Sequence, residues 1–211
     1  MTSTPADADS GRPGGTRPPS YVYGVIGILI ALLLLGTGAF VWLSGAGMSN
    51  SLVGGPFSLQ DGDGRQISDR DFRGRYMLVY FGYTFCPDVC PTTLNEVADA
   101  LERLGPKAGK LQPIFITVDP KRDSPAVVKQ YAAAFGPRLI GLTGSPEQIA
   151  QVAKEYRVYY AEHRTGPGPG DYTMDHSSII YLMSPEGKFI APIRADESGA
   201  EMAADLERLM S

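Results

Sequence analysis

The two cysteines of this chain, Cys86 and Cys90, lie four positions apart and are the residues best suited to chemistry. About one helical turn separates such a pair, so the two sulfur atoms can approach each other or share one metal ion. The start of a helix also favours anions, which lowers thiol pKa values and makes thiolate available at neutral pH. The pair therefore indicates redox chemistry or the binding of a soft metal ion.

The surrounding sequence predicts how the dithiol is positioned. An apolar run at 77–83 is typical of a buried strand. After the cysteines, apolar residues at 97, 101 and 104 recur at helical spacing. Asp88 suits the N-cap of that helix, and Pro91 suits its first turn, where no amide donor is missed. We therefore expect the cysteines on a strand-to-helix turn.

A structural disulfide is the simpler interpretation of the cysteine pair, provided that the domain faces an oxidising compartment. A bridge stabilises mainly by closing a loop, and so short a loop is worth roughly 2 kcal/mol, against about 5 kcal/mol for a loop of about 100 residues. A domain of this size does not need that contribution. We therefore favour a functional dithiol over a structural one.

His176 is a candidate third ligand, although a lone histidine is more often a packed or solvated residue. It is one of two histidines and follows a Gly- and Pro-rich tract, 164–171, that predicts a mobile loop. Two thiolates and one imidazole suit Cu(I) and can also hold Cu(II). Structural zinc sites usually have four protein ligands, and the chain has no third cysteine. We expect the other histidine, His163, to be solvated.

Two aspartates are candidates for supporting roles around these ligands. Asp175 precedes His176 and can orient its ring as a hydrogen-bond acceptor, although an exposed turn aspartate is equally consistent with its position. Asp119 follows a predicted strand and can face the same end of the sheet as the dithiol. A turn-forming role beside Pro120 is its simpler interpretation.

Strands and helices alternate along most of the chain. The predicted strands are 57–60, 66–68, 77–83, 111–118, 139–142, 158–162, 178–183 and 188–192, and the predicted helices follow the cysteines, span 124–135 and 145–156, and close the chain around 202–210. This order predicts an α/β fold with a mixed central sheet flanked by helices. A dithiol after an early strand makes thioredoxin-like the leading fold.

The N-terminal part has a different composition. Residues 1–20 are rich in Pro, Gly, Ser and Thr and predict a disordered tail, whereas 21–43 is an uncharged apolar run of 23 positions. About 20 apolar residues span a bilayer, whereas the apolar part of a cleaved signal peptide has only about 7–15, so we expect an uncleaved transmembrane anchor. A linker at 44–54 then leads to the domain at 55–211.

Charges around the predicted span indicate its orientation. Arg12 and Arg17 precede it, and nothing basic follows until Arg65, so we expect the N-terminus in the cytoplasm and the domain on the extracytoplasmic, periplasmic side of a bacterial cell membrane. Asp7 and Asp9 argue against a mitochondrial transit peptide. The net charge of −4 gives no support for nucleic-acid binding.

Four short motifs together resemble the Sco/SenC family of membrane-anchored copper chaperones for cytochrome c oxidase assembly. They are 54–57 (GGPF), 85–91 (FCPDVCP), 117–123 (TVDPKRD) and 175–177 (DHS). The resemblance covers about 54–209 and implies a thioredoxin-like fold with copper, as Cu(I), Cu(II) or both, held by Cys86, Cys90 and His176. It also implies that copper is delivered to the binuclear copper site of cytochrome c oxidase subunit II, or that the cysteines of that site are reduced. Such a protein needs a copper donor and a thiol reductant as further partners.

Two other functions stay open. A membrane-tethered thiol–disulfide oxidoreductase or peroxidase would use the same dithiol, because paired low-pKa thiols can exchange. Ordinary exchangers separate their cysteines by two residues, whereas three lie between Cys86 and Cys90. A redox or copper sensor is the third possibility. His176 discriminates between these functions, since an exchanger has no use for it and a copper carrier should lose affinity without it.

Overall fold

The computed structural model describes Gly27, residues 29–37 and residues 52–210. The chain divides into two compact units, 1–48 and 49–211, which are described separately. In the first unit, the described residues are helical. Within the described ranges, no helix combines the length and hydropathy needed to cross a bilayer. The predicted tail at 1–20 and most of the predicted anchor (21–43) and linker (44–54) lie outside these ranges.

The described part of the second unit, residues 52–210, is built on nine strands. These are β1 (Ser58–Asp61), β2 (Gln66–Ser68), β3 (Tyr76–Gly82), β4 (Leu111–Thr117), β5 (Ile140–Thr143), β6 (Tyr160–Arg164), β7 (Tyr172–His176), β8 (Ile179–Met183) and β9 (Phe189–Arg194). Seven of them form one sheet in the order β2-β1-β5-β4-β3-β8-β9, while β6 and β7 form a separate antiparallel hairpin. β3, β4 and β5 are parallel, and the outer strands are antiparallel to their neighbours. The predicted mixed α/β sheet is confirmed.

Among the described residues of this unit, four α-helices accompany the sheet: α1 (Val89–Leu104), α2 (Pro125–Ala133), α3 (Pro146–Glu155) and α4 (Gly199–Leu209). Two short 3-10 helices span Asp69–Phe72 and Gly105–Lys110. The predicted capping box of α3 is present, since the Ser145 hydroxyl accepts from the Gln148 amide and the Gln148 side chain accepts from the Ser145 amide. α1 lies beside α4, and each of the two helices buries a set of apolar residues. The central strands β3 and β4 are buried almost throughout, as their near-continuous apolar sequence predicts.

The predicted loop at 164–171 is the connection of the β6–β7 hairpin, between the end of β6 at Arg164 and the start of β7 at Tyr172, whereas the strand β7 itself was not predicted. β6 begins two residues later than predicted, and the segment after the Gly/Pro tract is a strand that pairs Tyr160 with His176 and Arg164 with Tyr172. Asp171 organises the turn, because its carboxylate accepts from the Gly168 amide and its carbonyl accepts from the Thr165 amide, both at 2.8 Å. His176 therefore lies at the end of a paired strand.

Candidate metal centre

The two cysteines lie where β3 ends and α1 begins. The Cys86 amide donates to the Tyr83 carbonyl at 3.2 Å, which closes a turn, and Cys90 is the second residue of α1. Asp88 occupies the N-cap position as predicted, but its side chain makes no cap hydrogen bond. Instead the Cys90 amide donates to Cys86 Sγ at 3.4 Å, so a sulfur atom takes the place of the usual cap oxygen.

His176 completes a compact three-atom cluster with the cysteines. Its Nε2 lies 3.4 Å from Cys90 Sγ, and one ligand atom from each of Cys86, Cys90 and His176 lies within 4.8 Å of the others. Nδ1 faces the carbonyl of Ser177 at 3.2 Å. A carbonyl can only accept, so it favours the proton on Nδ1 and leaves the Nε2 lone pair directed to the sulfurs.

The two thiols differ in burial and in charge. Cys90 is fully buried, whereas Cys86 is partly exposed, and neither is in a disulfide. The Cys90 thiol and the amides of residues 88 and 90 donate to Cys86, favour its ionised form and lower its pKa to about 3. The same interaction with Cys86, together with burial, raises the pKa of Cys90. In the metal-free protein, Cys86 is therefore the thiolate and Cys90 keeps its proton.

Aromatic side chains enclose the histidine and the buried cysteine. The rings of Tyr80 and Tyr83 meet the His176 ring edge-on, at centroid distances of 6.2 and 5.9 Å. Gly82 provides the space for Cys90, because a Cβ at that position would lie 2.8 Å from Cys90 Sγ. These contacts fix the orientation of the imidazole and keep water away from one side of the cluster.

Asp119 does not touch the three candidate ligands, although it is 2% exposed and lies at the same end of the sheet. Its carboxylate accepts from Arg122 Nε and, at 2.9 Å, from the Tyr172 hydroxyl. Arg122 also donates to the Tyr172 carbonyl at 2.9 Å and lies 4.7 Å from the centroid of the Phe85 ring. The network joins the loop before Cys86 to the hairpin that carries His176.

Asp123 holds the loop before Cys86 through hydrogen bonds to Thr84. This fully buried carboxylate accepts from the amide of Thr84 at 3.0 Å and from the hydroxyls of Thr84 and Thr117 at 2.6 and 2.5 Å. Its burial and the charge of Asp119 raise its pKa, although the hydrogen bonds oppose that shift.

Sequence reasoning missed Arg122, Asp123 and Tyr80, and only the motif at 117–123 pointed to the first two.

The remaining predicted residues lie apart from the cluster. Asp175 is exposed, and among the described residues no hydrogen bond joins it to His176, whose Nδ1 faces Ser177 instead. His163 is exposed on β6, as expected. Cys86, Cys90 and His176 are the only candidate metal-ligand group within the described ranges. Two sulfurs and one imidazole nitrogen at this spacing could hold one soft metal ion.

A family model described as SCO1/SenC matches residues 46–211, which is most of the chain. The chain belongs to the SCO1/SenC family. Members of this family include proteins solved with copper bound. The resemblance stated from the four motifs is confirmed.

Similar proteins come from bacteria, plants and animals. The mitochondrial SCO2 homolog of Bos taurus is 40% identical over 230 residues, which cover 100% of this chain and 84% of that protein. The structure of Bradyrhizobium japonicum ScoI with copper bound is 46% identical, with a TM-score of 0.68 over 74% of this chain and 99% of that one. The copper-bound structure of Arabidopsis thaliana ScoI is 40% identical, with a TM-score of 0.69 over 75% of this chain and 98% of that one. The chain spans only about half the length of some other relatives, 43% and 52% of the relative's length in two examples.

Proposed function

We propose that this protein is a copper chaperone that binds one copper ion through Cys86, Cys90 and His176. The observation that carries the proposal is the three-atom cluster, whose ligand atoms lie within 4.8 Å of one another at the sheet end. Family members solved with copper bound support the choice of metal. The donor set agrees, since soft thiolates select Cu(I) and an added imidazole also suits Cu(II).

The arrangement of the ligands suits a protein that gives its metal away. Cys86 is ionised before copper arrives, so binding copper releases a proton from Cys90 alone. Three ligands leave the ion open to an incoming thiolate of an acceptor. Exposed apolar side chains flank the ligands, with Phe85 61% and Val89 47% exposed, and they offer an acceptor protein an apolar surface.

The acceptor that we propose is the binuclear copper site of cytochrome c oxidase subunit II. Delivery of copper to that site and reduction of its cysteines both use the Cys86–Cys90 pair. A copper donor and a thiol reductant are further partners, because copper binding requires the free thiols. Tethering suits this role: we propose that residues 1–20 are cytoplasmic, 21–43 anchor the chain in a bacterial membrane, and 44–54 link the anchor to a periplasmic copper-binding domain at 55–211.

The supporting residues receive narrower roles in this proposal. Asp119 acts through Arg122 and Tyr172 on the hairpin that carries His176. Asp175 is exposed beside the ligand, so we assign it no contact with the metal ligands in the metal-free protein. Both aspartates therefore influence the copper site only indirectly.

A competition titration tests the function. The reduced, anaerobic full-length protein is titrated with Cu(I) against a competing chelator, beside Cys86→Ser, Cys90→Ser and His176→Ala. We expect one tightly held copper per chain, no comparable site in either cysteine variant, and clearly weaker binding in His176→Ala. Exposed His163 provides the matched control, since His163→Ala should bind like the parent.

The rival function is a thiol–disulfide oxidoreductase, favoured by the low pKa of the partly exposed Cys86 beside a protonated Cys90. That function needs both cysteines but not the histidine. If parent and variants all bind copper equally poorly while the parent turns over a disulfide substrate, the chaperone proposal is wrong.

A further inference from the structure

The hydroxyl of Tyr80 is buried without a hydrogen-bond partner among the described residues, and the whole residue is 1% exposed. Leaving such a donor unsatisfied costs about 1–3 kcal/mol, so native proteins seldom keep one without a role for it. Tyr80 is on β3, two residues before Gly82, and its side chain lies on the same face of the strand. That face is the one against which Cys90 packs.

The hydroxyl end of the Tyr80 ring lies beside Cys90. A Cβ built on Gly82 would be 2.8 Å from Cys90 Sγ and 3.4 Å from Cε1 of Tyr80, the ring carbon next to the hydroxyl-bearing carbon. A thiolate can only accept a hydrogen bond, so a bond between the two groups requires the Tyr80 hydroxyl as the donor. The Thr93 hydroxyl, also close to it, already donates to the Ala195 carbonyl at 3.2 Å.

We propose that Tyr80 is a positioning residue of the metal centre, whose hydroxyl donates a hydrogen bond to the Cys90 sulfur once that sulfur is a metal-bound thiolate. This inference rests on the proposed copper function. A thiol sulfur is a weak hydrogen-bond acceptor, whereas a metal-bound thiolate is a strong one. Binding of the metal removes the Cys90 proton to solvent and creates the strong acceptor.

A hydrogen bond to a thiolate draws electron density from the sulfur. The energy of the sulfur-to-Cu(II) charge-transfer absorption rises as a result, and so does the reduction potential of the bound copper. The hydroxyl would thereby favour bound Cu(I) over bound Cu(II). It would also hold the buried Cys90 sulfur in one orientation while the partly exposed Cys86 faces an acceptor.

The test compares Tyr80→Phe with Tyr131→Phe in the full-length protein. Tyr131 is the matched control, because its hydroxyl is also buried without a partner among the described residues. Both tyrosines pack against the ring of Phe115, with ring-centroid distances of 6.4 Å for Tyr80 and 5.2 Å for Tyr131. The measurements are the charge-transfer spectrum after one equivalent of Cu(II), the Cu(II)/Cu(I) midpoint potential, and the thermal midpoint with and without copper.

We expect Tyr80→Phe to shift the charge-transfer band to lower energy, to lower the midpoint potential, and to weaken Cu(I) binding relative to Cu(II) several-fold. Its metal-free thermal midpoint should be unchanged or higher, because the deleted hydroxyl had no partner there. Tyr131→Phe should leave the band and the potential in place. A purely structural role for Tyr80 would instead lower the metal-free midpoint and leave the band unmoved.

Two results would overturn the inference. One is a copper spectrum and potential unchanged in Tyr80→Phe, which would mean that the hydroxyl bonds to Thr93 or to nothing. The other is an equal shift in both variants, which would point to the polarity of the whole cavity. Failure of the proposed function looks different, because the parent protein itself would then form no copper–thiolate band.

Discussion

The guanidinium of Arg122 lies over the ring of Tyr172, with its central carbon 3.7 Å from the ring centroid. Such a stacked contact combines cation–π attraction with packing. The Arg122 side chain is only 15% exposed and also donates to Asp119 and to the Tyr172 carbonyl. One side chain therefore holds the start of β7, and His176 lies at the other end of that strand.

We expect Arg122→Met to loosen the hairpin and to weaken copper binding about tenfold, as loss of a partner that orients a metal ligand does in other sites. Competition titration with Cu(I) measures the effect. Arg103→Met is the matched control, since Arg103 forms an exposed pair with Asp99 on α1 and should leave the affinity unchanged. Equal affinities in Arg122→Met and the parent would show that the hairpin holds His176 without this network.

The two cysteines should react with an alkylating reagent at very different rates. Cys86 is partly exposed and its pKa is lowered to about 3, whereas Cys90 is 0% exposed and its pKa is raised. Brief treatment of the reduced, metal-free protein with limiting iodoacetamide at neutral pH should therefore label Cys86 first. Peptide mass spectrometry identifies the labelled residue. Preferential labelling of Cys90 would contradict the assignment of the thiolate.

Gly82 should tolerate no side chain. A methyl group there would lie 2.8 Å from Cys90 Sγ and 2.9 Å from the Phe115 ring, so we expect Gly82→Ala to lower the free energy of unfolding by about 1–3 kcal/mol and to weaken copper binding. Denaturant unfolding and Cu(I) titration measure the two effects. Gly109→Ala is the control, because nothing lies within 4 Å of the added methyl group. A Gly82→Ala protein as stable as Gly109→Ala would contradict the described packing.

Asp123 should give the free energy of unfolding a specific pH dependence. Burial and the charge of Asp119 raise its pKa above the ordinary value of 3.8. As the pH rises from 3.8 towards the folded-state pKa, the unfolded chain loses this proton while the folded chain keeps it, so stability falls. Asparagine does not titrate, so the stability advantage of the parent over Asp123→Asn should shrink through that window. Denaturant unfolding at several pH values measures the difference, and an advantage that grows with pH would contradict the direction of the shift.

The sheet and the dithiol turn could be predicted because their signals are local. β3 and β4 are short, near-continuous apolar runs, and the capping box of α3 lies within four residues. The cysteine spacing predicted that the two sulfurs could approach each other, although only Cys90 lies on α1 and Cys86 lies in the turn before it. His176 could be named as a candidate ligand because the chain has only two histidines and one of them borders a strand.

A strand near β6 was predicted at 158–162, but β7 and its pairing with β6 could not be predicted, because they depend on distant side chains. The strands of this hairpin are mostly polar and flank a Gly/Pro tract, and such a sequence has a weak strand signal. The contacts that hold it join Tyr172 to Asp119 and Arg122, about 50 positions away. Likewise, Tyr80 has the sequence signature of a core aromatic residue, and only the fold shows that its hydroxyl is unpartnered beside Cys90.

X-ray absorption at the copper edge tests the central claim most directly. For the full-length protein loaded with one equivalent of copper, we predict two sulfur neighbours from Cys86 and Cys90 and one imidazole nitrogen neighbour from His176. In His176→Ala the outer-shell scattering of the imidazole should disappear while both sulfurs stay. A shell with fewer than two sulfurs, or an imidazole signal that persists in His176→Ala, would contradict the three-ligand copper site.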